Sequence, residues 1–248
     1  MPVILVTNDD GVYSQGITAL AKALKSSGDV YVVAPEREQS AVGHALTLHR
    51  PIRADKIKNG VYSVNGTPTD CVILAVNKLL PQKPDIVVSG INIGGNLGDD
   101  ITYSGTVSAA IEGTLLSIPS IAVSLVGEKN FHFQEAAKFA ARLAGIVLKK
   151  GLPPDTLLNV NIPNGVDIKG IKFTRQGKKT YDNSIQEMSD PRGRRHYWIG
   201  GGTPLWGPGE DTDFQAVQNG FISVTPIYLD LTSYNTLKYL KENWKTLK

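Results

Sequence analysis

The chain has 248 residues, 41% of them hydrophobic and 20% charged, which is enough to bury a sizeable core as one α/β domain. A net charge of +3 and a pI near 8.8 are too mild to argue for a nucleic-acid polymer or an acidic membrane surface as partner. Cys71 is the only cysteine, no apolar run reaches membrane-spanning length and no leader pattern opens the chain. An intramolecular disulfide is therefore excluded, and the cytoplasm is the expected compartment.

The chain opens on Val3-Ile4-Leu5-Val6-Thr7-Asn8-Asp9-Asp10-Gly11. The apolar, β-branched start reads as a strand buried on both faces, as at the centre of a parallel sheet. Asp9 and Asp10 then lie at the strand's carboxyl end, the edge where open α/β sheets bind ligands. Adjacent carboxylates repel unless a cation or proton lies between them, so a divalent metal is the economical explanation. Ordinary turn and capping chemistry is the alternative.

Ile17, Leu20, Ala21 and Leu24 mark one helix face, and Val30–Ala34 a second strand, giving a right-handed parallel crossover. The loop Pro35–His44 leaves the same edge. Ser40 and His44 are its chemically interesting members, while Arg37 and Glu38 read as solvated. Short strands are expected at Leu46–Leu48, Ile52–Ala54 and Val61–Val64, with Asn59-Gly60 as a hairpin turn. Thr67 and Pro68 open a helix to about Leu80, with Cys71 in its buried start.

Asp85–Ser89 is a third buried strand, followed by the glycine-rich loop Gly90–Asp100, in which Asn92 and Asn96 offer carbonyl oxygens. Tyr103–Ala110 leads small and hydroxylated residues into a helix running to about Leu116. Its start suits a phosphate, with Ser104 and Thr106 adding hydroxyls. A plain Ser/Thr cap is the alternative. Walker and dinucleotide-binding glycine patterns are missing.

Strands follow at Pro119–Leu125, Leu157–Pro163 and Ile168–Thr174, with a helix at Phe133–Leu148. A core to about residue 174 then gives way to an extended arm over about 175–226, which loses periodicity until a returning strand at Gly220–Pro226. The arm carries Arg192, Arg194 and Arg195. Trp198 and Trp206 suggest burial against another subunit. A last helix, about 232–246, carries the stripe Leu237, Leu240, Trp244 and Leu247, read as core packing, with a second subunit as the other outlet.

Asp9, Asp10, Ser40 and Asn92 are hard oxygen donors suited to Mg²⁺, Mn²⁺ or Ca²⁺. A cation there beside a helix start points to metal-assisted hydrolysis of a phosphate ester by water. An acyl-phosphate at Asp9 ranks second.

The ordered set Thr7–Gly11, Val33–Ser40, Gly66–Val72, Val88–Gly98 and Tyr103–Val107 closely resembles the SurE (survival protein E) family of 5'-nucleotidases. The second half matches through Asn159–Pro163 and Thr225-Pro226. The resemblance implies a Rossmann-like three-layer core with a mainly parallel sheet, and a metal-dependent phosphatase for nucleoside 5'-monophosphates. Activity on 3'-monophosphates and short polyphosphate is implied too. So are one divalent cation per subunit at Asp9, Asp10, Ser40 and Asn92, and homodimers or tetramers through the carboxyl-terminal part. On this footing Asp9 and Asn8 are the candidate catalytic residues. Asn8, Asn96, Ser104, Gly105 and Thr106 are candidates for the phosphate pocket, and Gly43 and His44 for further substrate contact. A non-catalytic nucleotide-binding module and a sugar-nucleotide transferase are the competing readings.

Overall fold

The computed structural model describes residues 1–182, 185–200 and 202–244. Its centre is β1 (Val3–Thr7), every residue of which is buried. Strand alternation sends Ile4 and Val6 to one face of the sheet and Leu5 to the other. On the first face lies α1 (Gln15–Leu24), whose Ile17, Leu20 and Leu24 pack beside Ile4 and Val6. Burying each such side chain stabilises the fold by about 1.5–3 kcal/mol. β2 (Asp29–Pro35) returns parallel to β1.

The chain then steps outward. β3 (Ala54–Lys58) and β4 (Val61–Val64) form the expected hairpin around Asn59-Gly60, with β4 parallel to β2. Leu46–Leu48, expected as a strand, is irregular. Side chains hold it instead: Thr47 N–H donates to Asp70 at 3.0 Å and the Thr67 hydroxyl to Ala45 O at 2.8 Å. Asp70 also closes a reciprocal cap with Thr67 on α2 (Pro68–Leu74), and a π turn over Ala75–Leu79 carries the helix on.

β5 (Ile86–Ile93) runs beside β1 and continues four residues beyond the expected Ser89, through an irregularity between Gly90 and Asn92. Asn92 therefore rides on a strand, not in a free loop. A 3₁₀ turn at Gly98–Thr102 leads into α3 (Gly105–Leu115), which packs with α2 on the Leu5 face. β6 (Ser120–Val126), α4 (Phe133–Lys150) and β7 (Thr156–Pro163) complete the parallel part, with α4 beside α1.

β8 (Ile171–Phe173) sits at the far edge of the sheet. The arm is not irregular, as its sequence suggested. β9 (Lys179–Asp182) and β10 (Ile185–Ser189) run out, and β11 (Arg195–Ile199) and β12 (Thr203–Trp206) run back. The strands pair β9 with β12 and β10 with β11, both antiparallel. At its root, α5 (Asp213–Gln218) brings Phe214 flat against Trp206, ring centres 3.8 Å apart. That contact corrects the expectation that Trp206 awaits another subunit. Trp198 does stand 66% exposed. β13 (Ile222–Tyr228) returns antiparallel to β7, giving the order β3-β4-β2-β1-β5-β6-β7-β13-β8.

The last helix, α6 (Tyr234–Asn243), buries no residue. Core packing is thus not what its stripe serves in this chain. Leu237 and Trp244 face solvent, and Leu247 lies outside the described residues.

Candidate active site

The strand order reverses between β1 and β5, since the chain moves from β1 outward to β2 and β4 before crossing back. Such a switch opens a crevice at the carboxyl ends of the two strands. A cavity of about 390 Å³ lies there, lined by Asp9, Asp10, Ser40, Asn92, Asn96 and Ser104. Glu38, Asp100, Ile93 and Tyr103 complete much of its wall. Six of the residues singled out in the sequence, from four separate segments, therefore share one cavity.

Asp9 is 7% exposed and faces the first turn of α3. One carboxylate oxygen accepts from Thr106 N–H at 3.0 Å and the other from the Thr106 hydroxyl. Glycine at 105 permits this approach, since a Cβ there would lie 2.8 Å from Asp9 Cβ. Burial pushes the Asp9 carboxyl up, and the Thr106 hydrogen bonds oppose the shift. Asp10 is pushed up to about 7, by burial first and the Asp9 charge second. Its Oδ2 is buried with no hydrogen-bond partner among the described residues. Beneath the pair, buried Asn8 donates to Gly11 O at 3.0 Å and to Ser14 Oγ at 2.9 Å. This fixes the turn, where Gly11 has φ +96°.

Asn92 spends its amide N–H on Gly94 O at 2.9 Å, leaving its side-chain carbonyl as the free end. The Ser40 hydroxyl donates to Glu38 at 2.5 Å. Ser104 caps α3, its oxygen accepting from Val107 N–H at 3.1 Å. Asn96 is held on every side. Its N–H donates to Asn161, its carbonyl accepts from Asn159 and Asn161, and its side-chain amide donates to Ser124, all within 2.9 Å.

Several candidates sit elsewhere. Thr106 is fully buried behind Asp9, with both its N–H and its hydroxyl given to that carboxylate. Gly43 donates to Tyr103 O at 3.1 Å, and His44 pairs with Glu112 at 2.8 Å; neither lines the cavity. Glu38 is exposed, as its sequence suggested, and also lines the cavity. The sequence reading missed the Asn159/Asn161 clamp. Two asparagines at alternate positions of an otherwise apolar strand were the available signal for that clamp.

The donor chemistry suits a hard cation. Asp9 and Asp10 sit side by side, one Asp10 oxygen is orphaned, and the neighbouring donors are oxygens of Ser40 and Asn92. Among the described residues no group of three His, Cys, Asp or Glu could hold a metal, so a zinc-type cage is not formed.

The family model described as survival protein SurE matches residues 4–183. The chain belongs to the SurE family. A SurE relative from Geobacter sulfurreducens, named 5'-nucleotidase SurE, is 58% identical over 244 residues, covering 97% of this chain and 93% of that protein. One of the same name from Geotalea uraniireducens is 57% identical, with 96% and 97% covered. The crystal structure of the SurE protein from Aquifex aeolicus superposes with a TM-score of 0.87 at 50% identity, covering 97% of this chain and 99% of that one. These findings bear out the family resemblance and the mainly parallel α/β fold.

Proposed function

We propose that this SurE chain is a metal-dependent 5'-nucleotidase that releases phosphate from nucleoside 5'-monophosphates, and also from 3'-monophosphates and short polyphosphate. The carrying observation is one cavity in which two adjacent carboxylates and two neutral oxygen donors face the start of a buried helix. The relatives' printed name, 5'-nucleotidase SurE, supports the 5'-monophosphate part of this reading.

Asp9, Asp10, Ser40 and the Asn92 carbonyl would hold one Mg²⁺ or Mn²⁺; Ca²⁺ meets the same donors. When bound, the cation polarises a phosphate oxygen and lowers the pKa of water. The remaining steps belong to the chain. Ser104 and Asn96, which line the cavity at the positive end of α3, and the Gly105 N–H beside them would hold phosphate oxygens. Thr106 keeps the Asp9 carboxylate in one orientation, so that it can take a proton from the attacking water as the new P–O bond forms and return it to the nucleoside oxygen as the ester P–O bond breaks. Asn8 holds the turn that presents both acids. Ile93 and Tyr103 at the mouth offer apolar surface to the nucleoside. The exposed ribbon and α6 serve a homodimer or tetramer, and the cytoplasm is the proposed compartment. Among the described residues no helix is long and apolar enough to cross a membrane.

The test is a phosphate-release screen over 5'- and 3'-monophosphates and tripolyphosphate with Mg²⁺, Mn²⁺ and Ca²⁺, before and after chelation. Release is expected to vanish on chelation and in Asp9→Asn, with circular dichroism unchanged. Nucleotide binding without turnover under every metal would instead identify a regulatory module.

A further inference from the structure

We infer that His44 and Glu112 form a latch that fixes the loop carrying Ser40 against α3, and so decides whether Ser40 reaches the cation. This rests on the reading of Ser40 as a cation donor. Glu112 is only 8% exposed, and the one side chain bonded to its carboxylate among the described residues is His44, through Nε2 at 2.8 Å. A buried carboxylate without a partner is strongly disfavoured, which pulls His44 onto the helix. Neither residue lines the cavity, so the pair adds no donor to it.

Its effect is geometric. α3 engages Asp9 through its first turn. Glu112 comes two turns later on the face of Gly105, about 10 Å along the same rigid helix. The Asp9 carboxylate and the His44 end of the loop are thereby referenced to one body. Gly43 N–H adds a bond to Tyr103 O at 3.1 Å, at the entrance to α3. Between Ser40 and His44 the backbone takes positive φ at both Ala41 and Gly43, so the span that joins them is short and sharply bent. Ser40 itself is exposed, and among the described residues its hydroxyl bonds only Glu38, on its own loop. Its position is therefore set by what grips the loop on either side, and His44 is the side-chain grip that follows it.

The experiment is a double-mutant cycle on the full chain, reading Mn²⁺ affinity by calorimetry and kcat against KM for phosphate release. His44→Ala is expected to weaken Mn²⁺ binding about tenfold, as loss of a ligand's supporting partner does. At saturating Mn²⁺ it should leave kcat within about threefold. Adding His44→Ala to Ser40→Ala should weaken binding no further. His44→Gln, whose amide can still donate to Glu112, should restore most of the affinity, which a purely structural lesion would not do. Unchanged affinity in His44→Ala, or losses that add in the double variant, overturns the latch alone. Absence of Mn²⁺ binding by the unsubstituted chain overturns the cation reading and the latch with it.

Discussion

Thr106 gives both its backbone N–H and its hydroxyl to Asp9, one to each carboxylate oxygen. The contact joins the end of β1 to the first turn of α3 and fixes the acid that faces the cavity. Thr106→Val keeps the shape and removes the hydroxyl. Its kcat for phosphate release is expected to fall about 10- to 100-fold, in the range of a lost charge-assisted bond at a reacting group. Thr106→Ser should stay within about threefold of the parent. Undiminished turnover in Thr106→Val would show that the hydroxyl does not matter.

Gly105→Ala tests the same contact from the other side. The added Cβ would meet Asp9 Cβ at 2.8 Å, Asp9 Oδ2 at 2.9 Å and Pro68 Cγ at 3.2 Å. Something must move, and Asp9 is the nearest. Activity should drop at least about 100-fold, with a destabilisation of about 1–3 kcal/mol in urea unfolding, typical of an overpacked site. Wild-type turnover would mean that the Asp9 position is not critical.

The acid pair makes stability depend on pH. With metal removed, Asp10 holds its proton to about pH 7, against 3.8 ordinarily, and burial raises Asp9 in the same direction. The folded state therefore binds more protons than the unfolded chain between those values. The resulting stability is fully present below about pH 4 and is lost as pH rises through about 7. In chelator, the acid pair's contribution makes the Tm lower at pH 8 than at pH 5.5. Added Mn²⁺ should raise it more at pH 8, because protons no longer compete for the carboxylates. Calorimetric scans at both values decide this, and a larger metal effect at pH 5.5 would contradict it.

Asp213 ties the arm's root to the site. Fully buried, it accepts from Gly98 N–H at 2.8 Å, Gly177 N–H at 2.9 Å and Phe214 N–H at 2.8 Å. Asp213→Ala strands those donors and should cost about 2–4 kcal/mol in chemical denaturation. A change below about 0.5 kcal/mol would show that the donors find other partners.

On the proposed reading, α6, which buries no residue among those described, packs against a second subunit. Leu237→Asp combined with Leu240→Asp disturbs no fully buried residue of the single chain. Light scattering is expected to shift from a multiple of 26.7 kDa to a single 26.7 kDa protomer. An unchanged mass would place the interface elsewhere.

The β1 run, the crossover to β2 and the acids after β1 were readable because burial on both faces leaves an uninterrupted apolar stretch that few other structures share. The donors of the cavity followed from topology, since loops after parallel strands share an edge. The ribbon was not readable. Among the described residues β10 and β11 pair only with each other, and every residue of both is exposed, so no one-sided alternation marks them. Thr106 illustrates a second limit: a hydroxyl at a helix start looks the same whether it serves a ligand or a neighbouring carboxylate. Glu38 illustrates a third, because sequence does not say which way a loop side chain turns.

The wall of the cavity has one further consequence, for the order in which its occupants arrive. Asp9, Asp10 and Glu38 face the same space, and the fourth acid there, Asp100, is already matched by Lys179. Above about pH 7, where Asp10 has lost its proton, a doubly charged phosphate monoester entering that space alone meets like charge from Asp10 and Glu38. On the proposed reading the cation is therefore expected to be seated before the ester, and removing divalent ions should weaken nucleotide binding as well as halt turnover, which calorimetric titration with a nucleoside monophosphate in chelator would check.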